Sequence, residues 1–201
     1  MSNAIQDIFP SFLISNVLKF AGKYFKLTAD IDLAGINWNP IGTMAGDHGS
    51  FKGVFDGGDH TISNLNVQQA GNGLGLFART AGNAEIKNLT LNNVTVKSTD
   101  NSSYVGAVVG NSYANTKITN VHVTGNIDIS GRGYIGGISG HGYVVMDNVS
   151  VVGTGTIYST FWCAGGILGY GGEGSINKTI AGLIPKIKGT NTEAPNIANI
   201  C

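Results

Sequence analysis

Charge is the first shortage of this chain. Asp, Glu, Lys and Arg make up 12% of its 201 residues, about half the usual ~25%. Acidic and basic side chains number 12 each, so the net charge is zero. A protein that grips a nucleic-acid backbone carries a basic excess or stripe; with neither present, nucleic acid is not an expected partner. No apolar run approaches the ~20 residues of a membrane-spanning helix. The N-terminus lacks the basic start and long apolar stretch of a signal peptide. Proline is scarce at 4 residues, and together with 31 glycines it accounts for 35 of 201, below the ~25–30% typical of low-complexity chains. The two cysteines, Cys163 and Cys201, are too few and too far apart for a disulfide framework. Cys163 sits at an apolar repeat position and is expected as a buried thiol, with a bridge to Cys201 left open. There is no P-loop, no Gly-x-Ser-x-Gly elbow and no His-Glu-x-x-His zinc motif around His48, His60, His122 or His141. No metal and no cofactor is expected.

What fills the sequence instead is Gly, Asn, Ser, Thr and aliphatic residues in a repeat. Leu74-Gly75-Leu76-Phe77, Val105-Gly106-Ala107-Val108, Ile135-Gly136-Gly137-Ile138 and Ala164-Gly165-Gly166-Ile167 align, and their first glycines are spaced 31, 30 and 29 residues apart. A second motif runs Ile62-Ser63-Asn64-Leu65-Asn66-Val67, Ile86-Lys87-Asn88-Leu89-Thr90-Leu91, Ile118-Thr119-Asn120-Val121-His122-Val123 and Met146-Asp147-Asn148-Val149-Ser150-Val151. Helical repeats of similar length need apolar residues at i, i+3, i+4 and i+7. Here the period is two, as in Leu89-Leu91, Val94-Val96 and Ile127-Ile129. The residues are β-branched and broken by Gly and Asn, which reads as short strands joined by turns. One such coil cannot bury its apolar side alone; stacked coils bury it together. The expected fold is therefore all-β: a right-handed parallel β-helix of about five to six coils. Asn64, Asn88, Asn120 and Asn148 are expected as one structural ladder. Gly75, Gly106, Gly136 and Gly165 are expected as another, at positions of close backbone approach or positive φ.

The ends differ. Ile5, Ile8, Phe9, Phe12, Leu13, Val17 and Phe20 follow helical spacing, so residues 1–23 read as a tag remnant and a short helical cap. Residues 24–180 hold the β-helix repeats. Residues 181–201 read as a C-terminal cap or flexible tail.

Sites are harder to find. Asp56-Gly57-Gly58-Asp59-His60 is the one dense acidic stretch. Asp56, Asp59 and His60 are its catalytic candidates, against the plainer reading of a glycine turn whose carboxylates bond local backbone. Tyr104 and Tyr134 occupy equivalent repeat positions, with Trp162 nearby in the next coil. Exposed, these rings form a ligand platform; buried, they form an aromatic ladder in the core, which is the expectation here.

Several segments resemble the GLUG-motif family of bacterial surface and secreted proteins. They are Tyr24 to Leu33, Trp38-Asn39-Pro40-Ile41-Gly42, Phe51 to Leu65, and the Gly-centred repeats Leu74 to Phe77, Tyr104 to Gly110 and Tyr134 to Gly140. The resemblance spans about residues 24–177. It implies a parallel β-helix in a secreted or cell-surface setting, with relatives beside adhesins and in immunoglobulin-A-cleaving metallopeptidases. The zinc motif of the latter is absent here. The expected function is a non-catalytic binding or adhesion module for glycan or a host or cell-surface protein, or a structural spacer. The alternative is a carbohydrate-active enzyme, a polysaccharide lyase or glycoside hydrolase.

Overall fold

The computed structural model describes residues 21–46, 49–100, 103–171, 176–180 and 186–189, the last two segments as backbone strands only. The helical cap expected over residues 1–23 falls almost wholly outside these residues. No α-helix occurs among the described ones.

The first strand is β1 (Tyr24–Lys26), followed by β2 (Ile31–Asp32) and the long β3 (Val54–Gln69). After β4 (Gly73–Leu74) and β5 (Phe77–Thr80) come β6 (Glu85–Ser98), β7 (Tyr104–Gly106) and β8 (Val109–Gly131). β9 (Tyr134–Gly136), β10 (Ser139–Ser159), β11 (Cys163–Gly165) and β12 (Leu168–Gly171) continue the pattern. β13 (Ile176–Ile180) and β14 (Lys186–Gly189) complete it. Every strand pairs in parallel with its equivalent one coil away, for example Leu89 with Val121 and Val121 with Val149. The coils form a ten-stranded sheet and a four-stranded sheet ordered β11-β9-β7-β4. This is a β-solenoid of about five turns. β14 lies within the segment read as a cap or tail, and pairs with Thr156 to Ser159 of β10.

Period two decides what lies inside. Successive strand side chains alternate between faces, and parallel register then stacks like on like. Phe55, Ile86, Ile118 and Met146 form one column; Ile62, Leu91, Val123 and Val151 form a second; Val67, Val96, Ile129 and Ile157 form a third. All twelve are 0 or 1% exposed. Removing such a side chain from water is worth ~1.5–3 kcal/mol, so each coil is stabilised chiefly by the coils above and below. In the earlier coils the column thickens into rings: Phe51 and Phe77 lie 4.9 Å apart, and Phe55 meets Phe77 edge-on at 5.4 Å. Trp38 closes that layer and donates its indole N–H to the Leu76 carbonyl at 3.1 Å.

The strands are long because the chain turns within them at single residues. Nine non-glycine residues have positive φ, and seven are asparagines: Asn64, Asn83, Asn88, Asn93, Asn115, Asn120 and Asn148. Asparagine tolerates this left-handed conformation because its short amide bonds locally. Here those bonds run between coils. Asn148 donates to Asn120 at 2.8 Å, Asn120 to Asn88 at 3.1 Å, and Asn88 to the Asp56 carboxylate at 3.0 Å. Asn64, read from the sequence as part of this row, belongs to a second one: Asn93 donates to Asn64, and Asn64 to Asp32 at 2.7 Å. The motif aligns correctly on its letters but is displaced by a corner, because β3 and β6 change register between Asp56 and His60.

The glycine column is built on close approach. Gly106 pairs with Gly136, and Gly136 with Gly165, and none of the four expected glycines has positive φ. A Cβ on Gly75 would stand 2.5 Å from the Gly106 carbonyl oxygen, and one on Gly136 2.0 Å from the Ser139 oxygen. Cys163 is not the buried free thiol expected from the sequence. It is disulfide-bonded and partly exposed; the one other cysteine, Cys201, lies outside the described residues.

Candidate functional site

The acidic cluster is built as a turn. Gly58 and Asp59 both have positive φ, and β3 bulges there against β6. Asp56 is 7% exposed. Its carboxylate accepts hydrogen bonds from the Tyr24 hydroxyl, the Gly58 N–H at 2.9 Å and Asn88. Burial pushes its pKa up, but these bonds and the Lys87 charge outweigh burial and leave it below the ordinary carboxylate value. Such a carboxylate is a committed acceptor and a poor proton donor. His60 is turned away to Asp30, with Nδ1 3.1 Å from Oδ1. Asp30 is itself held below its ordinary pKa, first by the Thr61 N–H and then by His60. Each candidate thus has a local structural partner or a turn conformation, and the three do not converge on a cleft. No group of three or more potential metal ligands occurs among the described residues.

The aromatic candidates do converge, and they converge outside the core. The sharp corner between the two sheets is turned by paired glycines four residues apart: Gly106 and Gly110, Gly136 and Gly140, Gly165 and Gly169. A Cβ on Gly140 would lie 2.3 Å from the Val105 nitrogen and 2.8 Å from the Tyr104 carbonyl carbon. The outgoing arm of one coil therefore rests directly on the incoming arm of the coil before. That contact sets His141, the residue after Gly140, beside Tyr104, with ring centroids 4.9 Å apart.

Two columns of side chains result. The incoming arms give Tyr104, Tyr134 and Cys163 in register. The outgoing arms give Arg79, Asn111, His141 and Tyr170 in register. Tyr134 is the hub: it stacks on Tyr104 at 6.0 Å and on Tyr170 at 4.7 Å, and touches His141 at 5.4 Å and Trp162 at 4.9 Å. Tyr104, Tyr134 and His141 are half-buried by one another, while Trp162 and Tyr170 are 41% and 44% exposed. Phe161, 51% exposed, extends the surface under the Arg132 guanidinium, 4.9 Å away. The expected core ladder is instead a surface one, because the interior of these rungs is already filled by Val105, Ile135 and Ile138.

Burial without a charged neighbour lowers the His141 pKa below its ordinary 6.5, so the ring is neutral at pH 7. Burial, with the neighbouring tyrosines, raises the Tyr134 hydroxyl. Beneath the rings, Arg79 Nε, Asn111 Oδ1 and His141 Nδ1 are buried with no hydrogen-bond partner in the protein. His141 and Tyr170 were not singled out in the sequence. Their signal was present: Asn111, His141 and Tyr170 each follow the second glycine of a pair, at intervals of 30 and 29 residues.

No family model matches the chain. It is 35% identical over 126 residues to halomucin of Haloquadratum walsbyi, a match covering 58% of this chain and 1% of halomucin. It is 31% identical over 109 residues to a "putative Gly-rich membrane protein" of Evansella cellulosilytica, covering 50% of this chain and 12% of that protein. The chain thus spans a small fraction of the length of either relative. Among solved structures it is similar to a "putative immunoglobulin A1 protease" from Bacteroides ovatus, with a TM-score of 0.51, 20% identity, and coverage of 92% of this chain and 76% of that one. At that identity the likeness speaks to the fold alone.

Proposed function

We propose that this chain is a non-catalytic β-solenoid module of a secreted or cell-surface protein, presenting the Tyr104–Tyr134–His141–Trp162–Tyr170 corner to a glycan or protein partner. The observation that carries the reading is the exposed aromatic corner, set beside an acidic cluster whose carboxylates are held by structural bonds. Large rings left partly in solvent on a rigid frame are typical of contact surfaces. A surface setting is supported by three things: the names of the two relatives, the resemblance to the GLUG-motif family, and the disulfide at Cys163, since such bonds persist in oxidising compartments. We read the solenoid as right-handed, the hand that parallel crossovers adopt in nearly all cases.

The test is a binding screen of the whole chain against a glycan array and a panel of extracellular proteins, beside a Trp162→Ala/Tyr170→Ala variant. A partner that binds the parent chain and is lost in the variant is expected. Blank results on both panels would overturn the binding reading and leave a spacer. Turnover of a polysaccharide that disappears in an Asp56→Ala/Asp59→Ala variant would overturn the non-catalytic one.

A further inference from the structure

The ligand class is written in the corner's own periodicity. Each of three successive rungs carries, in register, one buried polar atom without a protein partner: Arg79 Nε, then Asn111 Oδ1, then His141 Nδ1. Asn111 is only 9% exposed, and leaving such an atom unpaired costs ~1–3 kcal/mol. A row of three is therefore met by something outside the chain, either ordered water or a ligand hydroxyl acting through it. The aromatic column runs alongside at the same repeat, with Tyr104 and Tyr134 parallel to within 4° and His141 and Tyr170 to within 7°. From the Arg79 rung to the Tyr170 rung is three steps of about 4.8 Å, about 14 Å in all.

We infer that this strip binds a neutral polysaccharide strand lying along the solenoid axis, its sugar rings against the exposed faces and edges of Tyr134, Trp162 and Tyr170 and its hydroxyls over the Asn111–His141 row. The inference rests on the binding reading above and narrows it to one ligand class. A repeating ligand fits a repeating site: each sugar offers a C–H face and a hydroxyl edge, and each rung offers a ring and a polar atom. A folded protein surface has no such period. Single-stranded nucleic acid also stacks on rings, but it needs a cationic groove along its backbone. Here the two guanidiniums lie at the edges, over the Tyr113 and Phe161 rings, and the net charge is zero. The imidazole is neutral at pH 7 because of its burial, in keeping with an uncharged ligand.

Isothermal titration with β-1,4-linked gluco-, xylo- and N-acetylglucosamine oligomers of increasing length, with oligouronates as a separate arm, tests this. Affinity is expected to rise with length and then level off once the strip is covered. It should fall at least tenfold in Tyr134→Ala and in the more exposed Tyr170→Ala, with Tyr134→Phe close to the parent. Far-ultraviolet circular dichroism of each variant establishes that the solenoid is intact, and Tyr170→Ala supplies the decision where Tyr134→Ala does not fold. Failure to bind any oligosaccharide, length-independent binding, tighter binding of oligouronates, or binding untouched by Tyr170→Ala each overturns the inference. If a protein partner is captured through these same residues while every sugar fails, the inference falls and the binding reading stands.

Discussion

At the scale of single residues, the corner asparagines combine two demands that few side chains meet together: a left-handed backbone and an amide that bonds to the coils on both sides. Asn120 shows both, with φ at 54° and hydrogen bonds to Asn88 and Asn148. Alanine there incurs the left-handed strain and loses the bonds; glycine loses only the bonds. Asn120→Ala is therefore expected to cost about 2 kcal/mol and Asn120→Gly about 1 kcal/mol, in an order that urea denaturation reads directly. The paired glycines are less forgiving. Gly140→Ala drives a methyl into backbone rather than into a movable side chain. It should cost at least the ~1–3 kcal/mol of ordinary overpacking and should disturb the neighbouring Tyr104–His141 contact, visible as a change in near-ultraviolet circular dichroism.

At the scale of elements, β7, β8, β9 and β10 make the aromatic corner, and its titration is a property of that packing. His141 has a folded pKa below its ordinary 6.5 because of burial. The unfolded chain therefore binds the proton more readily. Its contribution to stability is complete above about pH 6.5 and declines as the pH falls through the unfolded value toward the folded one. Urea midpoints at pH 7.5 and 5.0 should differ in that direction, and His141→Asn should narrow the difference. Asp30, Asp32 and Asp56, all held below their ordinary 3.8, account for a separate loss at more acid pH. Much of this level was legible in the sequence. Period-two aliphatics named the inward columns, and recurring Gly and Asn named the corners. What was not legible was which corner each residue turned. Asn64 moved to another row because a bulge at Asp59 breaks the count, and the rings came out at the surface because letters alone do not say whether an incoming arm points its tyrosine inward or outward. That depended on Val105 and Ile135 having already taken the inside.

At the scale of the whole molecule, stability passes from neighbour to neighbour. Each coil is supported by two others and the terminal ones by fewer, so amide exchange is expected to be slowest in β6 and β8 and to quicken toward β1 and β12. Ile129→Ala, in the middle of a column, should cost ~2–5 kcal/mol and raise exchange most in the two adjoining coils, β6 and β10. A uniform rise along the chain would contradict this nearest-neighbour account. The amide rows also give the stack a direction. Both run the same way and both end on a carboxylate, Asp56 for one and Asp32 for the other, so each link hands its donor backward to a fixed anionic anchor. A duplicated coil spliced in behind the anchors inherits a ready acceptor, whereas one placed ahead of them meets an aspartate already occupied. This architecture is thus open to lengthening on its C-terminal side and closed on the other, in the way that a chain hung from a hook grows only at its free end.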